Sequence, residues 1–190
     1  NPHFIFNSMN SIQNFITEND KANAGNYLAR FSGLMREVLE NSKNAFISLE
    51  VELEIIRAYI EMEHLRHRDK FDYHLHIDPN ISLSDTQIPP MMLQPFLENA
   101  IWYGLAPKEN GKGELKISFV LEEKQVVCTI EDNGIGREKS KQINAQRRAG
   151  KKHKSTGITN IRERIALINQ LFKTKMKVEI RDLKNENGSH

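Results

Sequence analysis

Cysteine is nearly absent. Cys128 stands alone in 190 residues, which excludes a disulfide framework and a cysteine-built zinc site. Long apolar runs are missing too: nothing approaches the roughly 18 consecutive apolar residues that a bilayer-spanning helix needs. Nor is there an excess of one charge, since 27 Lys and Arg face 25 Asp and Glu for a formal +2. What remains is an ordinary globular composition, 38% hydrophobic and 27% charged, sufficient for one large domain or two small ones. The near-neutral total conceals one local bias. Arg137, Lys139, Lys141, Arg147, Arg148, Lys151, Lys152 and Lys154 are opposed only by Glu138, a concentration of positive charge suited to an anion.

Both ends read as cut. Asn1-Pro2-His3-Phe4 carries no initiator Met and no leader, and Asn187-Gly188-Ser189-His190 is a turn signal with no strand after it. The expectation is an excised fragment of a longer chain.

The first third reads as helices. Ile5, Met9, Ile12 and Ile16 recur at helical spacing behind Pro2, which suits a helix start. A polar break from Glu18 to Gly25 is followed by the broad stripe Tyr27, Leu28, Phe31, Leu34, Met35, Val38 and Leu39. Two such helices make a hairpin whose apolar faces exceed what one hairpin can hide, so a second copy completing a four-helix bundle is expected. Ser48 is a plausible N-cap for a third helix, with Glu50 and Glu52 favourable to its dipole. That helix carries two stripes, Leu49, Leu53, Ile56, Ile60 and Val51, Ile55, Ala58, Met62, Leu65, and should be packed on two sides.

The remainder alternates strand and helix. Phe71 to Ile77 has period two, as do Leu115, Ile117, Phe119, Leu121 and then Val126, Cys128, Ile130, with a break at Glu123-Lys124 that fits an antiparallel pair. Helices are expected from about Met91 through Ile101 and from Gly157 to about Phe172. A basic loop should lie between residues 137 and 156, and a last strand from Met176 to Leu183. The sum is an α+β layer architecture.

Three segments carry chemistry. In Gln94-Pro95-Phe96-Leu97-Glu98-Asn99-Ala100, the Asn99 amide oxygen is a hard ligand of the kind Mg²⁺ accepts, although a solvated polar face is the simpler reading of the segment alone. In Glu131-Asp132-Asn133-Gly134-Ile135-Gly136, a carboxylate at a strand end could accept from an exocyclic amine while the glycines admit close backbone approach; alone, it is also a common turn. In Ser155-Thr156-Gly157-Ile158, backbone amides opening a helix could bind phosphate.

Taken in order, helix with Glu98-Asn99-Ala100, strand, Asp132-x-Gly134-x-Gly136, variable segment and Gly157 opening a helix resembles the Bergerat ATP-binding fold shared by gyrase, histidine kinases and MutL. Asn1-Pro2-His3-Phe4-Ile5-Phe6-Asn7-Ser8-Met9-Asn10-Ser11-Ile12 resembles the phosphoacceptor segment of LytS-type sensor histidine kinases. The stretch Ser48-Leu49-Glu50 through Tyr59-Ile60-Glu61-Met62-Glu63, with Arg66, is similar to that family's dimerisation region.

The resemblance implies that residues 1–69 form dimerisation and phosphoacceptor helices, as a dimeric four-helix bundle. Residues 70–190 would be an ATP-binding α/β two-layer sandwich with its last strand cut short. It further implies ATP and Mg²⁺, with His3 as phosphoacceptor, Asn99 as Mg²⁺ ligand, Asp132 reading adenine, Gly134 and Gly136 shaping the pocket, and Thr156 and Gly157 beside the phosphates. The expected activity is ATP-dependent autophosphorylation of His3, then phosphotransfer to the receiver domain of a response regulator. The expected setting is the cytoplasmic domain of a bacterial inner-membrane protein, homodimeric, touching the membrane only through an upstream segment.

Two departures keep other readings open: Trp102 stands where a Lys is usual, and Ser155 replaces one glycine. Phe4 follows His3 where many other histidine kinases carry an acidic residue; LytS-type kinases share this feature, and it leaves the catalytic base unnamed. One alternative is a degenerate kinase acting as a dimeric nucleotide-binding signalling scaffold; another is an ATP-driven clamp or a serine kinase of the same fold. Nucleic acid is not an expected partner, because the basic segment has no aromatic residues for base stacking.

Overall fold

The computed structural model describes residues 2–68, 70–147 and 156–183. Helix α1 (Pro2–Thr17) is followed by α2 (Lys21–Asn41), strand β1 (Ile47–Ser48), α3 (Leu49–His67), β2 (Phe71–Ile77) and β3 (Gln87–Ile88). Next come the short α4 (Gln94–Glu98), a π-helical segment Asn99–Leu105, β4 (Gly113–Glu122), β5 (Gln125–Asp132), α5 (Arg137–Arg147) and α6 (Thr156–Phe172). This is a mixed α+β chain. It divides into two compact units, one of Asn1–Phe71, Ile77–Met91 and Phe119–Val127, the other of Asp72–His76, Met92–Ser118 and Cys128–His190.

In the first unit α2 packs on both α1 and α3. Asp20 caps α2 by accepting from the Asn23 N–H at 3.2 Å, and Ser48 caps α3 by accepting from Val51 at 3.4 Å. Helix α3 is covered on two sides, as its two stripes require: Leu53, Ile56 and Ile60 are buried, and so are Ile55 and Met62. The buried Glu52 carboxylate accepts from the Met91 N–H at 3.0 Å. That bond ties α3 to a turn in which Met91 has the unusual φ of 57°. Strands β1 and β3 pair antiparallel, Ile47 opposite Ile88 and Ser48 opposite Gln87.

Helix α1 buries Phe4, Ser8, Ser11 and Phe15, and leaves Ile5, Met9 and Ile16 exposed. The apolar stripe legible in the sequence is therefore the outward one, and the inward one has two serines at its centre.

The larger sheet has three strands in the order β2-β4-β5. In β4, Leu115, Ile117 and Phe119 point inward with almost no exposure, as the period-two pattern predicts. Glu123 and Lys124 connect β4 to β5 with φ of 44° and 73°, the two positive angles of a tight hairpin turn matched to strand twist.

Three expectations need correction. The helix expected from Met91 to Ile101 begins at Gln94 and continues to Leu105, changing from α to π geometry at Asn99. The segment from Met176 to Leu183 is not a strand of any sheet. Met176, Val178 and Ile180 alternate in burial with exposed neighbours, but a strand also needs a partner ladder, and none is formed among the described residues. The basic stretch from residue 137 is helical as far as Arg147, where a loop was expected. Its Arg, Glu, Lys and Gln residues are good helix formers, Glu138 sits in its first turn, and it packs against the π segment. Arg148 to Ser155 lie outside the described residues.

Phe119 has 0% exposure, so its truncation leaves a cavity nothing nearby can fill. Phe119→Ala should destabilise the fold by about 3–5 kcal/mol, read as the shift of the urea unfolding midpoint at unchanged slope.

Candidate functional site

One tight cluster of polar groups and glycines lies where β5 ends. Asp132 closes that strand, and Gly134 follows within a turn held from several sides. Asn133 donates its N–H to the Glu114 carbonyl at 3.2 Å, and its side-chain oxygen accepts from the Glu114 N–H at 2.8 Å. The Lys108 ammonium donates to both Asn133 oxygens at 2.9 Å. With Asn133 fixed, the following backbone is aimed at the π segment, and Ile135 donates its N–H to the Gly104 carbonyl at 3.0 Å.

That approach is possible only because both residues are glycine. A Cβ on Gly134 would lie 2.4 Å from the Gly104 carbonyl carbon, and a Cβ on Gly104 would lie 2.5 Å from Asp132 Oδ1. Neither neighbour is a flexible side-chain end: one is backbone, the other a carboxylate already bonded to the Gly134 N–H at 3.0 Å. Gly136 has φ +76°, a left-handed angle that turns the chain into α5, where the Ser140 N–H donates to the Gly136 carbonyl.

Asp132 is exposed as a residue, yet its carboxylate end is packed into this glycine cradle. Desolvation raises its pKa above the usual 3.8, reinforced by the charge of Glu131, while the Gly134 N–H and Lys108 work in the opposite direction. A carboxylate with few waters to displace is well prepared to accept a hydrogen bond from an amine.

The cradle includes a residue that sequence reasoning missed. Gly104 lies in Trp102-Tyr103-Gly104-Leu105 and had no local signature; its function depends on a strand end far away in the sequence. The π geometry links it to Asn99. Bonding of the i→i+5 kind, visible in the 2.7 Å bond from the Ala106 N–H to the Ile101 carbonyl, sets Asn99 and Gly104 one turn apart on a shared face. The half-buried Asn99 thus stands one turn from the glycine against which Asp132 docks. Glu98 accepts instead from the Gln94 side chain at 3.0 Å.

Among the described residues no group of three His, Cys, Asp or Glu side chains can hold a metal. A cation at Asn99 would draw most of its ligands from phosphate and water, the habit of Mg²⁺. The Asn99 oxygen donor fits that habit.

Thr156 and Gly157 open α6, whose first backbone amides lack intrahelical partners, and α6 packs against α4 in the same unit. Ser155 lies outside the described residues. His3 lies in the first turn of α1, in the other compact unit. No described helix is long and apolar enough to cross a membrane.

The carboxylate in its glycine cradle can accept a hydrogen bond, and the Asn99 amide one turn from Gly104 carries a hard oxygen donor. The comparisons bear on the other unit as well. Residues 1–71 match the family model described as histidine kinase. The chain is 35% identical to the sensor protein LytS of Oceanobacillus iheyensis over 136 residues, 72% of this chain and 23% of that one. It is 30% identical to the sensor protein LytS of Bacillus cereus over 167 residues, 87% of this chain and 28% of that one. It is also 31% identical to the sensor histidine kinase/phosphatase LytS of Staphylococcus aureus over 141 residues, 74% of this chain and 24% of that one. The chain belongs to the histidine kinase family, in its LytS type. It spans only about a quarter of the length of these relatives.

Two outcomes follow from the cradle. Gly134→Ala should cost about 1–3 kcal/mol of stability by forcing two backbones apart, measured by thermal unfolding. For Asp132 the sign is that of a raised pKa: its stabilising contribution is complete below pH 3.8 and is lost as pH rises through the raised value. Asp132→Asn should therefore melt higher than the parent near neutral pH, and the difference should close on acidification.

Proposed function

We propose that this chain is the kinase core of a two-component sensor histidine kinase. In this reading residues 1–69 supply the dimerising and phosphoacceptor helices, and residues 70–190 form an ATP-binding domain of Bergerat type. A second copy covers the outward stripe of Ile5, Met9 and Ile16, with Leu28 and Leu39 of α2 also exposed. The phosphate passes on to an aspartate in the receiver domain of a response regulator. The whole protein would be anchored in the bacterial inner membrane through sequence upstream of this chain.

The arrangement that carries this reading is the Asp132 carboxylate docked against Gly104 and Gly134. It presents an acceptor of fixed direction, which suits the exocyclic amine of adenine. Gly136 then turns the chain away, and the start of α6 at Thr156 and Gly157 offers amides to the phosphates. Asn99 would hold Mg²⁺, which supplies charge neutralisation on the phosphates when bound.

The chemistry asked of His3 is modest. An uncharged imidazole nitrogen forms a bond to the γ-phosphorus, the bond to the bridging oxygen breaks, ADP leaves with that electron pair, and the imidazole proton is lost to solvent or a base. Positioning and charge neutralisation account for most of the acceleration in such transfers.

Three variants separate the roles. Asp132→Asn should weaken ATP binding by about tenfold to a hundredfold, because an amide donor then faces the amine. Asn99→Ala should lower Mg²⁺-dependent affinity and phosphorylation together. His3→Gln should leave ATP affinity intact and abolish acid-labile phosphate. Nucleotide titration and labelling with γ-³²P ATP decide each. Persistent acid-labile label in His3→Gln removes His3 from its role, and unchanged ATP affinity in Asp132→Asn removes the pocket. A dimeric scaffold without kinase activity would bind nucleotide and yield no label in the parent chain.

A further inference from the structure

Lys108 comes just after the π segment. Its backbone N–H donates to the Leu105 carbonyl at 3.0 Å, which fixes the residue to the end of that helix. Its side chain reaches the other way, to the turn that follows β5. An ammonium has three N–H donors, and three oxygens of this chain surround this one. They are the Asn133 carbonyl and side-chain oxygens, each at 2.9 Å, and the Lys112 carbonyl at 3.4 Å. Lys112 is anchored in turn, its own ammonium pairing with Asp72 Oδ1 of β2 at 2.6 Å.

Asn133 stands between Asp132, whose carboxylate faces the cradle, and Gly134, whose backbone forms it. Its side-chain oxygen accepts from Lys108 at 2.9 Å and from the Glu114 N–H at 2.8 Å, while its N–H donates to the Glu114 carbonyl. The pairing of β4 with β5 is thereby carried past the last residue of the strand. Downstream, Gly134 donates to Asp132 Oδ1 and Ile135 to the Gly104 carbonyl, each at 3.0 Å. Any rotation of the peptides at Asn133 disturbs both bonds and the direction of the carboxylate.

A lysine beside a nucleotide site is ordinarily given to the phosphates. The donors of Lys108 are already taken, and meeting a phosphate would mean releasing Asn133. Its bonds lie at an exposed surface, where each adds little to stability. Holding a geometry in advance of a ligand is what they are suited to do.

We propose that Lys108 and Asn133 are positioning residues that set nucleotide selectivity: their latch fixes the direction from which the Asp132 carboxylate accepts the exocyclic amine of adenine. The selectivity rests on the reading of Asp132 given above; the latch itself does not. A carboxylate held in place favours an amine and opposes a carbonyl at the same position, because two acceptors then face each other. A carboxylate free to turn away does neither.

Inosine triphosphate shares the ribose and phosphates of ATP and carries a carbonyl where ATP carries the amine. The parent chain should bind ATP about tenfold to a hundredfold more tightly than inosine triphosphate. Lys108→Met, and separately Asn133→Ala, should cut that ratio about fivefold to tenfold through ATP alone, with inosine triphosphate held within about twofold. The double variant should be no worse than either single one, because both remove the same latch. Amide exchange followed by NMR reads the turn without nucleotide. In either variant it should quicken about tenfold at Gly134 and Ile135 and stay unchanged at Ile117 of β4. Equal weakening of the two nucleotides overturns the proposal, whether it marks a phosphate contact or accompanies a fall in the thermal midpoint. Unchanged exchange at Gly134 and Ile135 overturns the latch. A parent that binds neither nucleotide, or both alike, removes the adenine reading of Asp132, while the exchange rates still decide the latch.

Discussion

Two glycine backbones in contact, Gly104 and Gly134, hold the second unit in its working shape. The contact has no side chain in it, so it cannot be loosened by a rotamer change. It sets where β5 must stop, where the π segment must present its face and how α5 departs. The same contact deprives the Asp132 carboxylate of water on one side and hands it a backbone donor on the other. The tight turn and the raised pKa of Asp132 therefore share one origin.

The first unit is organised differently, around ionisable groups enclosed by apolar ones. Glu52 and Glu63 are both buried on α3, on helix faces that also bury Ile56, Tyr59 and Ile60. Each carboxylate has an assignment: Glu52 holds the turn at Met91, and Glu63 addresses Arg66, His67 and the tyrosine of α2. Such groups add little net stability compared with well-packed alkyl chains.

Much of this was legible in the sequence wherever a pattern repeats locally. Period two located β2, β4 and β5; the Ser48 cap and two stripes located α3; and Asp132, Gly134 and Gly136 marked the turn that proves to be held against Gly104. Features that depend on distant partners were not legible. Gly104 is meaningful only against Gly134, and residues 176–183 have a strand's alternation without a ladder to join. The stretch from Arg137 has little apolar periodicity besides Ile143 and reads as a charged loop; packing against the π segment and good helix formers make it a helix. Ser8 and Ser11 were passed over because a polar residue on a helix is ordinarily taken for a solvent-facing one. The positions proposed to bind nucleotide and phosphate were assigned by resemblance, and the fold adds physical grounds chiefly at Asp132, Gly134 and Asn99.

The π segment has an implication for how this chain can vary. A π turn is an α turn with one residue too many, so Asn99–Leu105 carries a built-in surplus. Removing one residue within it would let the helix relax to ordinary geometry while its two ends keep nearly the same separation. Length changes in helices usually rotate everything downstream, but here the strain would absorb the deletion. What it would not preserve is the phase between Asn99 and Gly104. Loss of one residue at this point is thus cheap for the fold, yet it changes which side chain stands beside Gly104.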